Sequence, residues 1–352
     1  MKLNAAIIGC GRVVREGHLL GFQDAANQIK VAAIADPVAE HREYVGQQLC
    51  VPPAARFADY RALLDNVQCD FVDLALPHFL HEEAILATAQ AGRHILTEKP
   101  LTTSVDSAAR IAEAVQQSGV LFGVFHNYVH LPHYQALHEA ISKDIIGKPF
   151  VIRFESLGGG GHWPGAAGYD PDWRTRAARS GGGALIDNGY HNLYMCERWM
   201  GDPVSKVTAR TVTARGGDVE DLVFVLLDHA KGGISSAQVS WAVKASGHPI
   251  VEVHGESGSL AISDNNEVLL YRDQDASWNL YFTPERAPSF RLTYSDSLRE
   301  FAAAVEQKRD PPYGLGAAVH NLAIIMAAYE SAASDKAVAV ESTERRIMPI
   351  KR

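Results

Sequence analysis

Asp187 and His191 stand four residues apart in the run Gly181-Gly182-Gly183-Ala184-Leu185-Ile186-Asp187-Asn188-Gly189-Tyr190-His191. On a helix that spacing puts a carboxylate and an imidazole on one face. An imidazole titrates near neutral pH, so the pair suits proton transfer to or from a hydroxyl. A third group with reactive chemistry is Lys99, in Glu98-Lys99-Pro100 directly after the apolar run His94–Thr97. Its ammonium suits stabilisation of a developing negative charge on oxygen. Taken singly, each has a plain alternative: a solvated lysine after a strand, and a surface hydrogen bond between Asp and His.

A second constellation lies at the N-terminus, where Ile7-Ile8-Gly9-Cys10-Gly11-Arg12-Val13-Val14 follows a compact apolar strand. Gly9 permits a tight strand-to-helix turn, and Gly11 lets the backbone, with Arg12 and Val13, approach a pyrophosphate. The N-terminus of the following helix favours the phosphate charge. The third small position of the dinucleotide fingerprint is Val14, a departure that implies looser helix–strand packing. Asp36 ends the second apolar strand, where a carboxylate accepts hydrogen bonds from a ribose 2′-hydroxyl and repels a 2′-phosphate. The expected cofactor is therefore NAD rather than NADP. The alternative is an ordinary strand–turn–helix with a surface Asp.

These residues need elements to position them. Short apolar runs at Ala5–Ile8, Val31–Ala35, Phe71–Leu76, His94–Thr97 and Leu121–Phe125 read as strands buried on both faces. Helical periodicity between them, at Glu82–Ala91 and Val105–Gln117, predicts a doubly wound parallel α/β sheet of the Rossmann type over residues 1–127. Thr103, Ser104 and Asp106 suit the start of the second helix and Gly119 its end. Beyond residue 128 the pattern changes. A helix over His133–Ser142 precedes a strand at Pro149–Leu157, a Gly-rich loop over Gly158–Gly183 and a helix over Ala184–Trp199. Runs at Lys206–Thr213, Leu222–Leu227, Ile234–Val243 and Ile250–Val253 follow without intervening helices, and two helices (Ser297–Gln307, Leu315–Ala333) close the chain. Residues 128–352 are thus expected to form a substrate-binding and oligomerisation α+β domain with a mostly antiparallel sheet.

The bulk numbers narrow the function classes. A chain of 352 residues exceeds the size of a single core and favours two domains. With 33 basic against 41 acidic residues and no basic run, neither nucleic acid nor a membrane surface is an expected partner. The four cysteines, Cys10, Cys50, Cys69 and Cys196, are scattered, which argues for a reducing cytoplasm and against a disulfide framework or structural zinc. The opening MKLNAAIIGCG lacks a full signal-peptide core and reads as a buried first strand. No run reaches the ~20 apolar residues of a membrane-spanning helix.

The Gly9/Gly11 turn, the stretch Pro77-His78-Phe79-Leu80-His81, the Glu98-Lys99-Pro100 signature and the Gly-rich run ending in Asp187 and His191 together resemble the glucose–fructose oxidoreductase/inositol dehydrogenase (Gfo/Idh/MocA) family. The late stretch Ala327-Ala328-Tyr329-Glu330-Ser331 is similar to that family's last long helix, so the resemblance runs nearly end to end. It implies an NAD-dependent oxidoreductase acting on CH–OH groups, by hydride transfer from a secondary hydroxyl of a sugar, cyclitol or related polyol. It implies that Lys99 lies beside the nicotinamide, with Pro77, His78, His81 and Glu98 along the cofactor's path. By the same resemblance His191 is the general base, Lys99 hydrogen-bonds the substrate oxygen, and Asp187 binds a neighbouring hydroxyl or assists the proton transfer.

The chain departs from that pattern in two places. Many relatives carry Asp three residues after the equivalent of His191, where this chain has Tyr194, and Arg where it has Val129. His126, Asn127 and His130 follow the fifth strand, and the loop adds His162, Trp163, Tyr169, Trp173, Arg174 and Arg176. Of these, His126, Asn127, Trp163, Trp173 and Arg174 are candidate substrate contacts, because aromatic faces interleaved with hydrogen-bonding groups suit a carbohydrate. The histidines show no metal-ligand spacing, and the resemblance implies a metal-free reaction. Relatives also imply a homodimer or homotetramer built on the second sheet. Two other readings remain: a lyase, glycosidase or epimerase that retains NAD for transient oxidation, and a non-catalytic NAD-binding regulator, against which the intact Lys99/Asp187/His191 set argues.

Overall fold

A computed structural model describes residues 2–158, 172–244 and 250–341. The first sheet is built from β1 (Leu3–Ile8), β2 (Ile29–Ala35), β3 (Arg56–Phe57), β4 (Phe71–Leu74), β5 (His94–Thr97) and β6 (Phe122–Val124), in the order β3-β2-β1-β4-β5-β6. All its pairs are parallel. Helices α1 (Leu19–Asp24), α2 (Ala39–Gln48), α3 (Tyr60–Asn66), α4 (His81–Gln90) and α5 (Val105–Ser118) connect the strands. Alternate residues of one strand feed two cores. Ala6, Ile8, Val72 and Leu74 pack with Ala84, Ile85 and Ile111, and Ala5, Ile7 and Phe71 with Phe22. That two-sided burial is why the strands read as continuous apolar runs.

The second core holds a surprise in sequence terms. Leu298, Phe301, Ala302 and Val305 belong to it, and all lie on α9 (Phe290–Gln307). The chain therefore returns from the C-terminal region to cover one face of the first sheet, fixed at its edge by Ser295 Oγ donating to Asp24 Oδ2 at 2.9 Å.

The second sheet follows α6 (Pro132–Ser142). Its strands are β7 (Pro149–Leu157), β8 (Val204–Val212), β9 (Leu222–His229), β10 (Ile234–Ser240), β11 (Ile250–Gly255), β12 (Gly258–Ile262), β13 (Val268–Arg272), β14 (Ser277–Phe282) and β15 (Val338–Ala339). Their order is β14-β13-β12-β11-β7-β10-β9-β8-β15, antiparallel throughout except for β7 with β10. Strand β10 stops short of the expected Val243, because Ser240 Oγ accepts the N–H groups of Ala242 and Val243 and bends the chain inward. After the short helix α7 (Ala177–Ser180), one face of the sheet is covered by α8 (Tyr190–Met200) and α10 (Leu315–Ser334), while the other leaves Phe150, Phe224, Leu226 and Ile234 exposed. Among the described residues no helix is long and apolar enough to cross a membrane.

Candidate active site

The turn after β1 is built around Gly9, whose φ of +94° suits glycine. A Cβ there would collide with the carbonyl oxygen of Ala75. Nothing approaches the Cβ position of Gly11, so the space beside it is open to a ligand. Val14, in place of the third glycine, is fully buried, and the chain winds through a π-helical turn over Val14–His18 before α1.

Asp36 turns back onto this loop. Its Oδ2 accepts the Cys10 N–H at 2.6 Å and its Oδ1 the Val38 N–H at 2.8 Å, with His41 Nδ1 3.8 Å away. A cleft runs from Gly9, Gly11, Arg12 and Val13 past Asp36 and Tyr60 to Pro77. It adjoins a second cavity holding His78, Glu98, Lys99, Asn127, Asp187 and His191. Arg12, Val13, Leu76, Trp173 and Arg174 line both, so the two form one trough. It lies over the carboxyl ends of the first sheet's strands, where open α/β sheets bind ligands. The length of the trough, the uncrowded Gly11 and the carboxylate at the end of β2 fit a dinucleotide.

The second cavity is where the reactive groups converge. Lys99 Nζ donates to Asp187 Oδ1 at 2.6 Å and to the Asp187 carbonyl at 2.9 Å. On the other side of that carboxylate, Arg174 Nε stands 3.5 Å from Oδ2. Burial would raise the Asp187 pKa, but the Lys99 and Arg174 charges outweigh it and hold the carboxyl well below its usual range. His191 lies in the same cavity, and burial, aided by the Lys99 charge, pushes its imidazole well below the ordinary value. His78 is also kept neutral by burial and donates Nδ1–H to the Ser180 carbonyl at 2.8 Å. Asp187 sits in a π-helical turn (Leu185–Gly189) that runs directly into α8, which carries His191.

The glycines before that turn have a steric cause. A Cβ on Gly182 would strike the Tyr329 hydroxyl, and one on Gly183 the carbonyl oxygen of Glu220. Glu220, buried, accepts the N–H groups of Gly183 and Leu185 and the hydroxyl proton of Tyr329.

Not every expected residue reaches the trough. His81 lines neither cavity; it is fully buried and donates Nε2–H to the Leu76 carbonyl at 2.9 Å, bracing the turn after β4. His126 lies one layer behind, stacked on the Tyr194 ring with centroids 4.1 Å apart. His162, Trp163 and Tyr169 lie outside the described residues. Asn127 lines the cavity while donating to Thr293 Oγ1 at 3.0 Å. Among the described residues no three His, Cys, Asp or Glu side chains gather in a metal-binding arrangement.

Several contributors carried no sequence signal. His18 is fully buried, with Nδ1 2.7 Å from Asp73 Oδ2 and Nε2 3.0 Å from Glu98 Oε1. Burial works against its charge, yet the two carboxylates push its pKa up to about 9. Tyr294 covers His18 with ring centroids 4.6 Å apart, admitted by the bare Cα of Gly17. Tyr128 stacks flat on His191, 3.9 Å between centroids and 5° between planes. Trp241 donates to Asn188 Oδ1 at 2.7 Å across the cavity wall. These pairs join residues far apart in the chain, so no local spacing announced them.

A parallel sheet with a nucleotide trough and a Lys–Asp–His cluster at its strand ends defines a dinucleotide-dependent oxidoreductase. The family of NAD-binding Rossmann-fold oxidoreductases matches residues 3–126, and the GFO/IDH/MocA C-terminal domain matches residues 134–261. The chain belongs to the Gfo/Idh/MocA family of NAD-binding oxidoreductases. Levoglucosan dehydrogenase of Pseudarthrobacter phenanthrenivorans is 26% identical, covering 78% of this chain and 77% of its own. D-apiose dehydrogenase of Paraburkholderia graminis is 25% identical over 97% of this chain and 91% of its own. Among solved structures, a levoglucosan dehydrogenase in complex with NADH superposes with a TM-score of 0.87 at 22% identity, over 97% of this chain and all of that one (100%).

Proposed function

We propose that the protein oxidises a secondary hydroxyl of a sugar, cyclitol or related polyol, with Lys99, Asp187 and His191 as the groups that act on the reacting hydroxyl. The observation that carries this is the convergence of Lys99 Nζ, the Asp187 carboxylate and the His191 ring in one cavity at the end of β5. NAD supplies the hydride acceptor. Lys99 holds the substrate oxygen and stabilises the charge it gains as its proton departs. Asp187 fixes the Lys99 ammonium by two hydrogen bonds and keeps a carboxylate oxygen toward a neighbouring hydroxyl. Asn127, Trp173 and Arg174 line the same space and bind the rest of the substrate. Gly9, Gly11, Arg12, Val13, Asp36, Pro77, His78 and Glu98 bind the cofactor, and Asp36 selects NAD over NADP.

The relatives' names, dehydrogenases of levoglucosan, D-apiose and myo-inositol, support a polyol substrate and net oxidation over transient oxidation with retained NAD. The exposed apolar face of the second sheet supports a homodimer or homotetramer, since such a face is covered in a stable protein. The unpaired cysteines are in keeping with the cytoplasm.

The test is to supply NAD⁺ or NADP⁺ with a panel of sugars, inositols and anhydrosugars and follow the absorbance of the reduced nicotinamide. Turnover with NAD⁺ and one polyol class is expected. Normal oxidation rates in both Lys99→Ala and His191→Ala would sink the assignment of the site.

A further inference from the structure

The Tyr194 hydroxyl stands 3.0 Å from His191 Nδ1, and it accepts the Tyr128 N–H at 3.1 Å. A phenol has a single proton to donate and lone pairs to accept with. The Tyr128 amide can only donate, so it occupies a lone pair. Among the described residues that leaves His191 Nδ1 as the acceptor within reach of the phenolic proton. Tyr194 is buried, and burial raises its pKa well above the usual value, so the proton stays on the phenol. The opposite arrangement, Nδ1–H donating to the phenol, would strand that buried hydroxyl proton without an acceptor, which is unfavourable. Stacking against flat neighbours favours the observed ring orientations. Tyr128 lies flat on His191, and His126 is stacked on Tyr194 at 4.1 Å with 4° between planes.

We infer that Tyr194 donates its hydroxyl proton to His191 Nδ1, so that the imidazole carries its own proton on Nε2 and offers the substrate oxygen a hydrogen-bond donor instead of a lone pair. An Asp at this position would accept from Nδ1–H and leave Nε2 free to take a proton, so the phenol reverses the polarity of the ring. Tyr194 is thus a positioning residue acting through His191. The consequence for chemistry, though not the tautomer itself, rests on the proposed polyol oxidation. His191 and Lys99 then both face the oxygen that becomes the carbonyl, and both offer it donors: the imidazole its Nε2–H, and Lys99 one N–H, its other N–H bonds going to Asp187 Oδ1 and the Asp187 carbonyl.

The test uses the full-length chain labelled with 15N-histidine, read by long-range proton–nitrogen spectra that separate protonated from unprotonated ring nitrogens. His191→Gln identifies the signal. The expected result is an unprotonated Nδ1 and a protonated Nε2, with the two exchanged in Tyr194→Asp. A wild-type His191 protonated on Nδ1 overturns the inference. If the Asp variant does not fold, Tyr194→Phe serves: Nδ1 should move to the position of an unprotonated nitrogen that accepts no hydrogen bond, and an unmoved signal overturns the inference equally. No turnover is needed, so a failed substrate search refutes the proposed reaction and leaves this result readable.

Discussion

Glu220 takes the Gly183 N–H on both of its carboxylate oxygens, at 2.9 Å each. With Leu185 N–H at 3.0 Å and the Tyr329 hydroxyl at 2.8 Å, it caps the start of the helical segment that carries Asp187 and His191. A buried acceptor serving this many donors cannot be deleted cheaply. Glu220→Ala should lose roughly 2–5 kcal/mol in urea denaturation and at least ten-fold in kcat at a temperature where it remains folded. Gly183→Ala should be worse, because the Cβ meets backbone that cannot move aside.

His18 gives a pH signature. Its folded pKa is raised from 6.5 to about 9 by Asp73 and Glu98. A histidine raised in this way contributes stability that is full below about 6.5 and lost as the pH climbs through about 9. The contribution is of the order of 3 kcal/mol by linkage. Denaturation at pH values on either side of this window should show the wild type losing stability toward the alkaline side, while His18→Gln starts lower and loses less. Equal slopes in both proteins would mean that His18 is not charged in the fold.

Asp187 holds Lys99 by its carboxylate and its carbonyl together. Asp187→Asn keeps the shape and removes the charge. Steady-state kinetics should show kcat lower by about 10²-fold or more, the usual scale for loss of a group that supports proton transfer. A variant with wild-type kcat and only a raised KM would reduce Asp187 to a binding contact.

Asp36 is already bonded to the Cys10 and Val38 amides, which aims its carboxylate at the mouth of the nucleotide cleft. Asp36→Ser should weaken NADH binding roughly ten- to hundred-fold, as the loss of a charged hydrogen-bond acceptor does, and bring NADPH closer to it. Fluorescence titration of both nucleotides measures the ratio. An unchanged ratio would place cofactor selection elsewhere in the cleft.

Much of the fold could be read from the sequence because the first sheet's strands are buried on both faces and β7 to β11 carry β-branched runs between turn residues. His94–Thr97 and Pro149–Leu157 were bounded to the residue. What escaped was short or exposed. Strand β3 has only two residues and no periodicity, and α2 (Ala39–Gln48), which buries only His41, Val45 and Gly46, has a weak apolar stripe. The site divides the same way. Gly9, Asp36, Lys99, Asp187 and His191 were legible because turn, strand-end and i, i+4 spacings are local. His81 and His126 stand beside those motifs in sequence yet point into the packing behind them.

Local geometry was written into the chain: a glycine turn with φ > 0, a carboxylate at a strand end, and an acid and an imidazole one helical turn apart. The electrostatics of those groups came from folding, which brings distant residues together. His18 meets Asp73 and Glu98 across 55 and 80 residues, Glu220 meets Gly183 across 37, and α9 returns some 270 residues later to close the second core, on one face of the first sheet. The charge and tautomer of a side chain depend on burial and on partners within about 3 Å, and chain separation carries no information about either.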